Sequence, residues 1–296
     1  MEHAIRPSAR KLILGLLLAA DDHPLSAQEA ISACGLFDIT ENNVRVTLAR
    51  LVADGMVEIS GRGSYRLGLS AAGVAAQVAT WHDADQRLRP WQGGYVTAHV
   101  GPLGRSDRKA LVRRERALSF LGLRELERDL FLRPDNLQGG VSGVRARLTA
   151  LGADPEMLVF AAAEFDAQRQ AALPQLWDVA ALEAQYAEGR QRLESWLAHQ
   201  HRLSADDAAR ESYLLGGAAI RCLVYDPWLP EQMIDAEARH AYVETVKRFD
   251  AAGKRIWNAR STAEFGMPIA PAAGRFHSPL DPVAASARIP VTGDSA

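Results

Sequence analysis

The segment from Glu41 to Asp54 carries side chains of the types that contact DNA bases. Asparagine and arginine form bidentate hydrogen bonds with the edges of adenine and guanine, and valine can contact the methyl group of thymine. With helical periodicity, apolar residues at positions 44, 48, 51 and 52 face one way and the polar side chains face the other. The candidate base-reading residues are Asn42, Asn43, Arg45, Val46 and Arg50. The alternative is an ordinary solvated helix face.

Three basic residues outside this segment could hold DNA phosphates. Arg62 stands between two glycines at the tip of a predicted hairpin, where a phosphate or minor-groove contact would be made. Arg10 and Lys11 add positive charge to the first predicted helix. Because a module with almost no net charge would bind a single site weakly, we expect a homodimer on a two-fold operator of double-stranded DNA.

A second basic cluster, between residues 105 and 116, could bind the phosphates of a small-molecule effector or flanking DNA. A solvated helix face interleaved with core residues explains it as well. Trp228 lies in the run Asp-Pro-Trp-Leu-Pro, which indicates a rigid structural turn, or alternatively a ligand or dimer contact. The candidate effector-binding residues are Arg105, Arg108, Arg113, Arg116 and Trp228.

Motifs of catalysis are missing from the sequence. The run from Gly101 to Gly104 precedes basic residues but lacks the spacing and the GK[ST] ending of a phosphate loop. His199 and His201 do not have the spacing of a helical zinc pair, and no G-x-S-x-G motif occurs. Cys34 and Cys222 are too far apart to indicate a disulfide framework or a cysteine-rich zinc site. We therefore predict no catalytic residue, no metal ligand and no cofactor.

Capping signals and periodicity predict the elements that position the candidate DNA contacts. The first helix spans residues 8–20, and a second, short helix follows a capping box formed by Ser26 and Glu29. The third helix has Thr40 as its N-cap and ends at Gly55. Two strand-like runs, MVEIS and SYRLGL, then form a hairpin around Gly-Arg-Gly. This order predicts a winged helix-turn-helix whose third helix enters the major groove.

The remainder of the chain predicts two further domains of an α+β multidomain fold. An alanine-rich helix over 70–88 leads out of the first module. Strands alternating with helices then favour a small α/β domain; the strands are predicted at 91–100, 124–133 and 156–165, and the helices at 106–122 and 140–152. Three helices follow, at 176–200, 205–225 and 236–260. The predicted domains are 1–88, 89–168 and 169–262, with a disordered tail at 263–296 rich in Pro, Ala, Gly and Ser.

Composition excludes some classes of protein. The 296 residues include 48% hydrophobic residues and have a net charge of −2, which is incompatible with a wholly disordered chain. The charge is uneven, at −1 for residues 1–80, +5 for residues 81–150 and −6 for residues 151–296, and the basic middle favours a polyanionic partner. The apolar run from Leu12 to Ala20 is too short to span a membrane and no cleavage site follows it, so we expect a cytoplasmic protein without a membrane partner.

The sequence resembles the PaaX family of bacterial transcriptional repressors. The runs RPSARKLIL from Arg6 and NNVRVTLARLVADGMVE from Asn42, with SGRGSYRLGLSAAG, are similar to the family's N-terminal winged helix. Trp91-Gln92-Gly93 and LFLRPDNLQGG are similar to its central ferredoxin-like domain, and Arg221 with DPWLP to its C-terminal helical domain. The resemblance covers roughly residues 6 to 260.

The resemblance implies a homodimeric repressor of aromatic-compound catabolic genes, released from its operator by an aryl-coenzyme A thioester, typically phenylacetyl-CoA. The chain departs from the family pattern after Pro230, where it lacks the usual Trp-Pro-Gly. The family's central fold is also similar to a CRISPR-associated nuclease subunit, which carries an aspartate near the end of its first strand. Here that strand ends Ala98-His99-Val100-Gly101, without a carboxylate. A nuclease or a thioester-acting enzyme built on this domain is the alternative function.

Overall fold

The computed structural model describes residues 7–20, 23–71, 75, 78, 80–104 and 106–269. It contains both helices and antiparallel sheets, in agreement with the predicted α+β class. Across these ranges, the helices are all too short or too polar to cross a membrane.

The N-terminal module consists of three helices and a three-stranded sheet. Its elements are α1 (Ala9–Ala19), β1 (Leu25–Ser26), α2 (Ala27–Gly35), α3 (Glu41–Ala53), β2 (Val57–Gly61) and β3 (Ser64–Leu67). The capping box is confirmed: the Ser26 hydroxyl accepts a hydrogen bond from the Glu29 backbone N–H, and the Glu29 carboxylate accepts one from the Ser26 backbone N–H. The short strand β1 was not predicted; it pairs antiparallel with β3, whose other edge pairs with β2.

The predicted single helix over 70–88 differs from the structure. Residues 69–71 are helical, but the segment ends in two 3-10 turns, Thr80–Asp83 and Asp85–Arg87. Residues 72–74, 76, 77 and 79 lie outside the described part of the chain. The turns bury Trp81 and Ala84 in the core formed with the C-terminal helices, and this tertiary packing overrides the helix propensity of the alanines.

The central elements follow the order strand, helix, strand, strand, helix, strand. They are β4 (Tyr95–His99), α4 (Arg108–Phe120), β5 (Arg124–Glu127), β6 (Leu130–Pro134), α5 (Gly140–Ala150) and β7 (Leu158–Ala162). The sheet order is β5-β6-β4-β7, and every neighbouring pair is antiparallel. The prediction of one strand over 124–133 is wrong. Asp129 adopts a left-handed conformation, with a φ of 65°, and its N–H donates a hydrogen bond to the Glu125 carboxylate, so the run turns back as a hairpin.

The C-terminal elements are helical: α6 (Ala167–Ala172), α7 (Val179–His199), α8 (Ala205–Val224) and α9 (Ala236–Phe265). Aromatic pairs join α9 to α7, with the Trp196 and Phe249 ring centroids 4.7 Å apart. Helix α9 continues past the predicted end at 260, so residues 263–265 belong to it and not to a tail. Residues 270–296, the rest of the predicted tail, lie outside the described ranges.

The turn between α8 and α9 is held by hydrogen bonds from β6 and from the segment that follows it. The Arg133 guanidinium donates to the Pro227 carbonyl at 3.2 Å, and the Asn136 side-chain amide donates to the Trp228 carbonyl at 2.7 Å. Asp226, almost fully buried, accepts hydrogen bonds from the Tyr186 hydroxyl and from the Trp228 N–H. Buried polar groups are thus satisfied across the boundary between the central and C-terminal elements.

Candidate nucleic-acid interface

Helix α3 buries one stripe and exposes the predicted base-reading side chains. Val44, Leu48 and Leu51 are buried in the core that also contains Leu12 and Ile13 of α1. This burial fixes the rotation of the helix about its axis. The side chains that it leaves exposed include Asn42, Asn43, Arg45, Val46 and Arg50. Thr40 occupies the N-cap position as predicted, but its side chain makes no capping hydrogen bond.

Local contacts hold some of the exposed α3 side chains. The Arg45 Nη2 lies 2.7 Å from Oε1 of Glu41, and both side chains are 58% exposed. Asn43 Oδ1 accepts a hydrogen bond of 3.2 Å from the Thr47 hydroxyl. Among the described residues, Arg50 has no ion-pair partner. Because exposed pairs of this kind are worth only about 0.3–0.5 kcal/mol, Arg45 can exchange Glu41 for another partner at low cost.

The tip of the β2–β3 hairpin presents Arg62 to solvent. Gly63 has a φ of 72°, and a Cβ atom placed on it would meet open space, so the turn requires glycine for its backbone conformation and not for lack of room. The register shifts between Ile59 and Gly61, which marks a bulge next to the tip. Ile59 is 63% exposed on this hairpin.

The two basic residues of α1 are exposed, but they differ in their surroundings. The Arg10 guanidinium lies 2.9 Å from the carboxylate of Asp54, the C-cap residue of α3. Arg10 is therefore placed at the opposite end of α3 from Asn42, about 18 Å away along the helix axis. The Lys11 side chain is exposed, and its backbone carbonyl accepts a hydrogen bond of 3.1 Å from the Tyr213 hydroxyl.

The N-terminal module packs against the C-terminal helices through α1, α2 and the segment that follows α2. The Phe37 and Tyr213 rings meet edge to face at 5.5 Å, and Ala209 and Trp257 belong to the same buried core as α1. Ser32 donates to Glu264 at 2.6 Å and accepts from Arg260 at 3.0 Å. Helices α8 and α9 therefore set the position of the module that carries α3.

The structure does not gather the predicted effector residues into one site. Arg108, Arg113 and Arg116 are exposed on α4, where Arg116 stacks over Phe120 with 5.7 Å to the ring centroid. Arg105 lies outside the described residues. Trp228 is buried, with a φ of 49° and the Arg239 guanidinium 5.4 Å from its ring. A further arginine of the basic run, Arg114, is buried and bonded to Asp154 at 2.9 Å.

Sequence reasoning missed the arginines that do lie beside Trp228. Arg87, Arg133 and Arg147 line a cavity together with its ring. Arg133 could have been noticed, because it interrupts the apolar strand run Leu-Phe-Leu-Arg-Pro, where a charged residue requires a partner. Arg87 and Arg147 give no comparable signal, since each stands in a helix-like polar pattern.

Within the described ranges, groups of three or more His, Cys, Asp or Glu side chains that could hold a metal ion are not found. The end of β4 carries His99, paired with Leu130 and Leu158 on the neighbouring strands.

Comparisons with known proteins give a family match and a structural neighbour. The model of the PaaX-like protein C-terminal domain matches residues 177–259. An uncharacterised protein, Rv0674 from Mycobacterium tuberculosis, has a similar structure, with a TM-score of 0.52 and 22% sequence identity over 84% of this chain and 98% of that one. The comparison with curated proteins gives no match. The chain therefore carries a PaaX-like C-terminal domain, and its predicted resemblance to the PaaX family is confirmed.

Proposed function

We propose that the protein is a DNA-binding transcriptional regulator that acts as a homodimer and represses a catabolic operon for aromatic compounds. The observation that carries the proposal is the face of α3 on which asparagine, arginine and valine side chains are exposed to solvent. These residue types read base edges in the major groove. The family resemblance, supported by the match over residues 177–259, favours the same function.

The arrangement around α3 supports a winged helix-turn-helix over residues 1–88. Three helices are followed by the β2–β3 hairpin, and α3 is the third helix, which occupies the groove in that motif. Arg62 at the hairpin tip would contact phosphate or the minor groove, and Lys11 of α1 would contact phosphate. Arg10, held by Asp54, would contact phosphate only by leaving or sharing that carboxylate.

The later elements support the proposed division into a ferredoxin-like central domain over 89–168 and a helical C-terminal domain over 169–262. The order strand, helix, strand, strand, helix, strand is typical of the ferredoxin-like fold. We assign dimerisation and effector binding to these two domains. An aryl-CoA effector would release the operator if it binds better to a dimer whose α3 helices no longer match the half-site spacing, about 34 Å or a multiple of it.

The proposal is tested by in vitro selection of duplex DNA from a random library with the full-length protein. We expect an enriched inverted repeat, bound with a strong dependence on salt concentration and released on addition of phenylacetyl-CoA. Binding without sequence preference would contradict a specific regulator.

The same protein is incubated with DNA and Mg²⁺ or Mn²⁺, and separately with aryl-CoA thioesters. Cleavage of either substrate would favour the alternative, an enzyme.

A further inference from the structure

A small cavity lies where three parts of the chain meet: the linker turns at 80–87, the central domain and the C-terminal helices. Its volume is about 30 Å³, which exceeds the minimum of about 10–15 Å³ that an enclosed water needs and leaves room for a small polar group. Three aromatic and three basic side chains dominate its lining: Trp81, Phe120, Trp228, Arg87, Arg133 and Arg147. Carboxylates are not among the described residues that line it. The cavity is thus compact, aromatic and positively charged.

Arg133 is a buried guanidinium whose hydrogen bonds go to neutral oxygens. The side chain is 1% exposed and donates to the carbonyls of Leu121, Pro134 and Pro227 and to Oδ1 of Asn136. Within the described ranges it forms no ion pair with a carboxylate. Burial, followed by repulsion from a second arginine, lowers its pKa to about 9. Neutral oxygens of the protein therefore stabilise its positive charge, but no described carboxylate neutralises that charge by direct contact.

Arg147 is the second arginine, and it adds charge to the same place. It is half-buried, and its side chain forms no hydrogen bond or ion pair with any described residue. Burial and the neighbouring Arg87 both lower its pKa. A free guanidinium pointing into a cavity beside another cation is costly unless an anion is bound there.

Asp135 and Asp226 partly offset the fall in the pKa of Arg133, but neither carboxylate lines the cavity. Asp135 is ion-paired with Arg89, outside the cavity lining. Asp226 accepts hydrogen bonds from Tyr186 at 2.6 Å and from the Trp228 N–H at 2.7 Å, and burial raises its pKa. Neither aspartate pairs with Arg147, so its guanidinium is not neutralised by direct contact with a described carboxylate.

We propose that this cavity binds the anionic group of a small organic acid, a carboxylate or a phosphate, with the Arg147 and Arg133 guanidiniums on the anion. Guanidinium groups pair with planar and tetrahedral oxyanions through two parallel hydrogen bonds. The volume admits a compact charged group, and the rings of Trp81, Phe120 and Trp228 provide an apolar wall for the adjoining part of the ligand.

The regulatory meaning of this site rests on the proposed function, but the site itself does not. Its walls come from the linker, from the central domain and from the end of α8, and an anion that draws the arginines together would change their relative positions. Helix α8 also carries Tyr213, which contacts α1 of the N-terminal module. Occupation of the cavity would therefore be transmitted to the module that carries α3.

The test is calorimetric titration of the full-length protein with benzoate, phenyl phosphate and, as the neutral counterpart, benzamide. We expect one of the two anions to bind with one site per chain and at least tenfold more tightly than benzamide. Arg147→Gln should weaken that binding at least tenfold, because it removes a charge-assisted pair. The control Arg128→Gln removes an exposed guanidinium of the β5–β6 turn outside the cavity and should leave the affinity unchanged.

The unfolding temperature of the same variant distinguishes a loss of the anion site from a loss of the folded structure. Arg147 has no described partner, so Arg147→Gln without ligand should unfold at the same temperature as the wild type or at a higher one. Failure of both anions to bind at 10 mM, benzamide binding as tightly as the anions, or unchanged affinity in Arg147→Gln would each overturn the proposal. Operator selection on the same preparation separates the two ideas: DNA binding without anion binding refutes only the cavity site, and anion binding without DNA binding refutes only the regulator.

Discussion

Gly122 and Pro227 are in direct backbone contact between the central domain and the turn after α8. A Cβ atom placed on Gly122 would lie 2.5 Å from Cα of Pro227, and the glycine has a φ of 68°. The Gly122 carbonyl also accepts a hydrogen bond of 3.1 Å from the indole N–H of Trp177. Only glycine satisfies both the conformation and the close approach.

Gly122→Ala is therefore expected to destabilise the protein by about 2–4 kcal/mol, from the strained φ and from the forced separation of the two backbones. The measurement is the free energy of unfolding from urea titration. Gly217→Ala is the matched control, since a Cβ atom there meets open space within α8 and should be neutral or stabilising by about 0.5–1 kcal/mol. Equal stability of both variants would show that the backbones at Gly122 and Pro227 can move apart without a loss of unfolding free energy.

Tyr213 is expected to hold the N-terminal module against the C-terminal helices. Tyr213→Phe keeps the ring against Phe37 but removes the hydrogen bond to the Lys11 carbonyl, so it should cost about 0.5–1.5 kcal/mol. Tyr225→Phe is the control, because the Tyr225 hydroxyl has no hydrogen-bond partner among the described residues. Hydrogen exchange should show faster exchange in α1 of Tyr213→Phe only; unchanged exchange there would mean that the module docks through its apolar contacts alone.

The arginines of α3 are expected to affect DNA binding and not stability. Arg50→Ala and Arg45→Ala should each weaken operator binding by about 1–3 kcal/mol and relax the base preference. Arg190→Ala, which removes an exposed charge from α7, should change neither. Fluorescence anisotropy with the selected operator measures the affinity. Unchanged binding in both α3 variants would place the recognition surface elsewhere.

Glu41→Gln gives a prediction of opposite sign. Removing this carboxylate frees Arg45 and takes away a negative charge facing the DNA phosphates, so the affinity should rise by roughly fivefold, or about 1 kcal/mol. The gain should shrink as the salt concentration rises. A loss of affinity would indicate that Glu41 itself contacts a base, as carboxylates do with cytosine.

Local signals predicted the N-terminal module better than the rest of the chain. The capping box at Ser26 and the apolar stripe at Val44, Leu48 and Leu51 act within a few residues, so the sequence carries them directly. The hairpin at Asp129 was missed because no glycine or asparagine-glycine pair marks it. The cavity depends on residues from three segments that are distant in sequence, and no local sequence pattern predicts that these segments come together.

Asp250 gives the pH dependence of the contact between the linker and α9. Burial acts to raise the pKa of this carboxyl, but hydrogen bonds from His82 and Lys254 outweigh it and hold the pKa below its usual value. A carboxylate whose pKa is lower in the folded state contributes stability above its unfolded pKa, near 4, and loses that contribution as the pH falls through the folded value. Asp250→Asn should therefore lower the stability by about 1–2 kcal/mol at pH 7, and the difference from the wild type should shrink below pH 4.

Glu244→Gln on the same helix, where the carboxylate pairs with Lys247 at the surface, should change the unfolding temperature little at either pH. A difference for Asp250→Asn that stays constant from pH 7 to pH 3 would show that the side chain stabilises the linker by packing and not by its charge.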